Sequence, residues 1–231
     1  MPDVRVSSVD ADAVALAVAS VRERIRRVVS DRVVELIAVT KGFGVDAIHA
    51  AAAAGCSSIG ENYAQELRDK VADLSPDTRL PTVHFIGQLQ TNKVKMIATM
   101  VDVWQSVDRV SLAEEIARRS PGATVFVQVN STGEESKGGC VPAATSALVQ
   151  HCQLLELQVL GLMTVGPTVA DAAQSHIAFS LVRRLANDSG LAACSMGMTN
   201  DLEIALEQGA THVRVGSALF GERPSRRAQM R

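Results

Sequence analysis

Val14, Val18, Val21, Ile25 and Val28 recur at steps of four, three, four and three residues. That spacing draws one apolar stripe down a helix, and it predicts a helix over residues 9–30. Beyond it the pattern changes. Short apolar or β-branched runs stand at 36–40 (LIAVT), 57–62 (SSIGEN), 82–87 (TVHFIG), 101–107 (VDVWQSV), 124–130 (TVFVQVN), 157–165 (LQVLGLMTV), 191–196 (LAACSM) and 212–217 (HVRVGS). Segments with helical periodicity lie between them, at 45–54, 63–73, 91–99, 111–119, 142–153, 171–187 and 199–208.

Strands that alternate with helices pair in parallel through right-handed crossovers. Eight such strands are the number that closes a (β/α)8 barrel. A doubly wound open sheet is the alternative, but its GxGxxG fingerprint is missing, because "KGFGVDAI" after the first strand lacks the third glycine. No linker or low-complexity stretch divides the chain. The expected fold class is therefore α/β, a single TIM barrel over residues 1–231 with the 9–30 helix as a prefix.

Composition narrows the partners. Hydrophobic residues make up 47% of the 231 positions and aromatics 3%, so the core is aliphatic. A formal net charge of −2 argues against nucleic acid or an anionic membrane as the main partner. Arg22, Arg24, Arg26 and Arg27 flank the first apolar stripe and read as a solvated helix face. The N-terminal stretch has no basic region followed by an apolar one, and no apolar run is long enough to span a bilayer. Cys56, Cys140, Cys152 and Cys194 are scattered without a CxxC pair, which fits a reducing compartment and neither zinc nor a disulfide framework. A cytoplasmic protein is expected. His49, His151, His176 and His212 show no metal spacing, and His84 reads as a barrel residue.

Chemistry in such a barrel collects at the C-terminal ends of the strands. Lys41 stands at the tip of the first strand, where a lysine ordinarily snorkels to solvent. The loops after strands seven and eight are the customary phosphate site of the fold. There "CSMGMTND" offers Ser195, Gly197 and a helix expected to start near Thr199, and "VGSALFG" offers Gly216 and Ser217. Arg214 shares the strand face of Gly216 and, if buried, needs either a structural carboxylate or a ligand. A lysine opposite a phosphate cradle suggests a Schiff base with a phosphorylated carbonyl compound. The two candidates are pyridoxal 5′-phosphate (PLP) and, for a class I aldolase, a sugar phosphate.

The motifs "AVTKGFG", "IGENYAQEL", "HFIGQLQTNK", "QSVD", "EESKGG", "GLMTVGP" and "SMGMTNDLEIALEQGATHVRVGSALFG" resemble those of the YggS/PROSC family of PLP homeostasis proteins. The resemblance runs from about residue 5 to Glu222 in the same order. It implies the barrel of the alanine racemase N-terminal domain, with Lys41 as the Schiff-base lysine. It also implies that Ser195, Gly197, Gly216 and Ser217 bind the phosphate, that Arg214 faces the pyridine nitrogen, that Asn62 lies near the ring and that Met163 helps form the pocket. Gly42-Phe43-Gly44, Gln88 and Ser217 depart from the commonest family pattern, the last with its hydroxyl kept.

An arginine at the pyridine nitrogen leaves that nitrogen unprotonated and makes the ring a poorer electron sink. A racemase also needs two bases. In alanine racemase the second is a tyrosine from a separate β-domain, which this chain is expected to lack, ending about 14 residues after strand eight. Its one tyrosine, Tyr63, lies in the second βα loop. The resemblance thus implies a cytoplasmic, monomeric PLP homeostasis protein without robust catalysis, with PLP-dependent apoenzymes as recipients. A weak amino-acid racemase is the alternative. Lys137 reads either as a transient site for PLP or as one end of a loop salt bridge.

Overall fold

Asp10 starts the first helix. Its carboxylate accepts from the backbone N–H groups of Asp12 and Ala13, two of the donors that a helix start leaves without partners. The computed structural model describes residues 9–222 apart from positions 76 and 170. The ends of the expected 1–231 domain therefore lie outside the described residues. Helix α1 (Ala11–Val28) is followed by β1 (Glu35–Val39), α2 (Val45–Ala53), β2 (Ser58–Glu61), α3 (Ala64–Asp73), β3 (Thr82–Phe85) and α4 (Val94–Ile97). Then come β4 (Val103–Val107), α5 (Val110–Arg119), β5 (Thr124–Gln128), α6 (Thr145–Leu154), β6 (Gln158–Met163) and α7 (Ala172–Asp188). The chain closes with β7 (Ala193–Ser195), α8 (Leu202–Glu207), β8 (His212–Val215) and α9 (Ser217–Phe220).

The eight strands form one closed parallel barrel in sequence order, β8 returning to β1 with Ile37 opposite Arg214. Strand alternation sorts each strand into two cores. Leu36 and Ala38 belong to the large cluster that joins the sheet to the helix ring. Ile37 and Val39 turn the other way, so that a side chain at Gly60 on the neighbouring strand would meet both of them. Val103, Phe126, Met163 and Ala193 fill the interior. Gly161 lets β6 and β7 approach, since a Cβ there would lie 2.1 Å from the carbonyl oxygen of Ala193.

The expected helices shorten where local chemistry interrupts them. The segment at 91–99 opens as a 3-10 turn over Thr91–Lys93 before α4, and the one at 142–153 as a 3-10 turn led by Pro142. α1 ends at Val28, with Val29 as its C-cap. Two of its arginines are not simply solvated. Arg22 donates to the carbonyls of Ala54 and Gly55, and Arg24 bonds Glu203 and the carbonyl of Thr199. Arg26 and Arg27 bond the exposed Glu23 on their own helix. Among the described residues no helix is long and apolar enough to cross a membrane.

Candidate functional site

The inward parity of Ile37 and Val39 continues to residue 41, and this decides where the strand-end lysine goes. Lys41 lines a cavity of about 730 Å3 at the C-terminal mouth of the barrel. Asn62 from the end of β2, Arg214 from β8, and Gly216 and Ser217 just beyond it line the same cavity. The side-chain oxygen of Asn62 is buried without a hydrogen-bond partner. Gly216 keeps the wall close, because a Cβ there would stand 3.3 Å from the Cβ and carbonyl oxygen of Val39.

Below this mouth runs a directional polar chain. Arg214 donates from one Nη to the Ser195 hydroxyl at 2.7 Å and from the other to the Thr164 carbonyl at 2.6 Å. Ser195 donates to Gln105 Oε1 at 2.7 Å, and the Gln105 amide nitrogen lies 2.8 Å from His84 Nδ1. For every link to be satisfied, Gln105 donates to Nδ1 and the neutral imidazole carries its proton on Nε2. Burial, reinforced by the neighbouring His212, pushes His84 down to about 4. Burial also lowers Arg214 to about 10, opposed by Asp201, so the guanidinium stays charged near neutrality.

The rim is held by exposed and half-buried contacts. Glu134 accepts from Lys137 Nζ at 2.7 Å and from the backbone N–H and hydroxyl of Thr168. Lys137 also donates to the carbonyl of Gly166. These bonds, the one from Lys137 first, hold the Glu134 carboxyl at about 2. The loop after β5 is thereby laced to the loop after β6. In the neighbouring loops after β7 and β8 the hydroxyls of Thr199 and Ser217 lie 3.2 Å apart.

The structure brings together five of the expected cofactor-binding residues: Lys41, Asn62, Arg214, Gly216 and Ser217. The other three lie elsewhere. Ser195 is fully buried, and its hydroxyl is committed to Gln105 and Arg214. Met163 is packed in the barrel interior. Gly197 (φ +93°) serves the approach of α8, where a Cβ would lie 2.4 Å from the Cβ of Ala205. The helix expected from Thr199 begins at Leu202, because Asp201 turns back to accept the Met198 N–H at 2.5 Å.

Arg214 is indeed buried; within the protein it donates to a hydroxyl and a carbonyl, and the Asp201 carboxylate acts on it electrostatically. Tyr63 stands at the N-cap of α3, 46% exposed, and does not line the cavity. The four cysteines are buried, and burial raises each thiol. Among the described residues no group of three or more His, Cys, Asp or Glu side chains is placed to hold a metal. Sequence reasoning passed over Asp201, Thr199 as a wall residue, and Gln105. Thr199 and Asp201 adjoin "SMGM" and carry a signal in that position, whereas Gln105 is one polar residue inside a strand.

A family model described as "Alanine racemase, N-terminal domain" matches residues 9–224. The pyridoxal phosphate homeostasis protein of Pseudomonas aeruginosa is 40% identical over 222 residues, spanning 92% of this chain and 95% of that protein. The chain belongs to the pyridoxal phosphate homeostasis family. PipY of Synechococcus elongatus PCC7942, solved with PLP bound, matches it with a TM-score of 0.79 at 33% identity, over 90% of this chain and 100% of that one. Alanine racemase of Clostridium difficile 630 matches with a TM-score of 0.74 at 12% identity, over 94% of this chain and 59% of its own, and so shares the fold. Family and barrel thus agree with the resemblance carried by "GENY", "HFIG" and "SMGM".

Proposed function

We propose that this protein holds pyridoxal 5′-phosphate at the barrel mouth, with Lys41 as its covalent anchor, and serves intracellular PLP homeostasis as a carrier. One observation bears most of the weight. An inward-facing amine, a buried guanidinium and a hydroxyl-bearing turn open onto one cavity of about 730 Å3, within the ~300–1,000 Å3 usual for small-molecule sites.

The donor set fits the group. Lys41 offers a primary amine, Ser217 and Thr199 offer hydroxyls beside the first turn of α9, and Arg214 offers N–H groups to a ring nitrogen. The unpartnered oxygen of Asn62 awaits a donor in the same wall. The bound cofactor supplies an aldehyde. Lys41 would hold that group through its amine, which lines the same cavity and is the primary amine this wall offers to a carbonyl carbon. Arg214 keeps its own proton, so a ring nitrogen beside it stays an acceptor and the ring is a weak electron sink. Tyr63 stands outside the cavity lining and provides no second base within it. The arrangement supports holding the cofactor more than turning over amino acids, and PLP-dependent apoenzymes are the natural recipients.

The test is a visible absorption spectrum of the protein incubated with PLP, before and after borohydride, for the wild type and Lys41→Ala. The expected result is a Schiff-base band in the wild type alone, converted to a reduced pyridoxyl adduct that peptide mass spectrometry locates on Lys41. Absence of the band in the wild type would overturn the reading.

A further inference from the structure

Lys70 occupies a position where a hydrophobic residue belongs. It lies on the buried face of α3 with Ala64 and Leu67, and only 5% of it is exposed. A buried ammonium must be fully partnered, and this one is. Its three donors meet the Thr40 carbonyl at 2.8 Å, Glu61 Oε1 at 2.6 Å and Glu66 Oε1 at 2.7 Å. Glu61 is itself completely buried. None of the three charged residues lines the cavity, so the cluster is on the outer side of the sheet, between β1, β2 and α3.

The bonds converge on the two neighbours of Lys41. Thr40 donates its hydroxyl to Glu61 Oε1 at 2.6 Å and gives its carbonyl to Lys70. Gly42 donates its N–H to Glu66 Oε1 at 2.5 Å. Gly42 sits at φ +80°, a left-handed conformation in the turn immediately after the lysine. Phe43 N–H closes the turn on the same Thr40 carbonyl at 3.1 Å. The backbone on both sides of Lys41 is therefore tied to one ionic cluster, while the lysine side chain is left on the cavity face.

Stability alone does not account for such a cluster, because well-packed apolar residues commonly do as well or better in place of a buried ion pair. What an apolar core cannot supply is directional bonds to chosen peptide groups. We propose that Glu61, Glu66 and Lys70 are positioning residues for Lys41, fixing the turn that carries it so that its amine meets the cofactor aldehyde. This inference rests on the PLP reading above.

The experiment compares two probes on the full chain. PLP carries the aldehyde, whereas 4′-deoxypyridoxine 5′-phosphate has the same ring and phosphate and cannot react with Lys41. The variants are Glu66→Ala, at a partly exposed position; Lys70→Met combined with Glu61→Gln, which leaves no lone buried charge; and Glu66→Gln, which keeps an acceptor for the Gly42 N–H. Displacement of a nucleophile by about 1 Å slows reactions by up to ~100-fold. The first two variants are expected to trap PLP at Lys41 roughly tenfold or more slowly than wild type, and to bind the deoxy analogue within about twofold of it. Glu66→Gln is expected to trap PLP at close to the wild-type rate. Equal loss of both probes would reduce the cluster to a structural role and overturn the inference, as would unchanged trapping in the first two variants. If the wild type forms no borohydride-stable adduct at Lys41, the PLP reading itself falls, a result distinct from either of those.

Discussion

Replacing His84 with glutamine should remove close to one proton from the acid limb of the stability curve. The reason lies in the interior chain. His84 Nδ1 accepts from Gln105, the ring packs 6.3 Å from that of His212, and burial followed by His212 lowers its pKa from 6.5 to about 4. Above pH 6.5 the imidazole is neutral in both the folded and unfolded chain and contributes no pH dependence. As the pH falls from 6.5 towards 4, the unfolded chain binds a proton that the folded chain refuses, and stability drops. Below about 4 both states are protonated and the contribution is constant. The slope approaches ~1.4 kcal/mol per pH unit, and the whole window amounts to roughly 3 kcal/mol. That is a large share of the ~5–15 kcal/mol typical of a domain.

The assay is a series of guanidinium unfolding curves between about pH 7 and pH 4 for the wild type and His84→Gln. Glutamine keeps a side-chain acceptor for Gln105 and has nothing to titrate. Carboxylates and His212, also lowered by burial, titrate in both proteins, so the difference between the two curves isolates His84. The wild type should lose more stability on acidification, with the gap opening below about pH 6.5 and levelling off near 4. Parallel curves would mean that His84 takes a proton in the folded protein, and the Arg214–Ser195–Gln105–His84 direction would have to be abandoned.

Two further substitutions test the frame of the site. Gly161→Ala puts a Cβ 2.1 Å from the Ala193 carbonyl oxygen, backbone that cannot step aside; a loss of about 3 kcal/mol or more in chemical unfolding is expected, and a wild-type midpoint would refute the close β6–β7 approach. Asp10→Ala removes the acceptor for the Asp12 and Ala13 N–H groups; it should cost about 1 kcal/mol while leaving PLP trapping at Lys41 unchanged, measured by thermal unfolding and borohydride reduction side by side.

The barrel is legible in the chain because each strand carries its own local signal, an apolar run bounded by turn residues, and the helices between them carry the complementary period. Parity puts Arg214 and Gly216 on one strand face, and Lys41 is marked by its place at a strand tip; because the 36–39 run is apolar at both parities, only the folded barrel shows which face is the cavity. Parity, however, gives the direction of a side chain and not its depth. Ser195 shares the inward face, yet it lies beneath Arg214, and its hydroxyl is used up in holding that guanidinium. Gln105 has no sequence signature, since only three-dimensional closure brings β4 across from β7. Lys70 did leave a trace, a lysine in step with Ala64 and Leu67 and four residues after Glu66. Its meaning depends on Thr40 and Gly42, 30 and 28 positions away.

The two polar systems divide the site into a fixed floor and a looser rim. Inside the barrel, the chain from His84 sets Arg214; outside it, the Lys70 cluster sets the turn of Lys41. Apart from the partly exposed Glu66 both are buried, so their inner bonds are strong in a low-dielectric setting and little affected by salt. The rim is different. Glu134, Lys137 and Thr168 join the two loops through partly exposed contacts, and bonds of that kind are weakened by screening and open at small cost. An enzyme that completes chemistry before release gains from closing over its ligand. A carrier must keep the reactive amine and its ring partner in register while letting the ligand leave intact. In the proposed carrier role, a rigid floor beneath a rim held by partly exposed contacts suits both demands, since those rim bonds join Glu134, Lys137, Gly166 and Thr168 and belong to neither of the two buried systems.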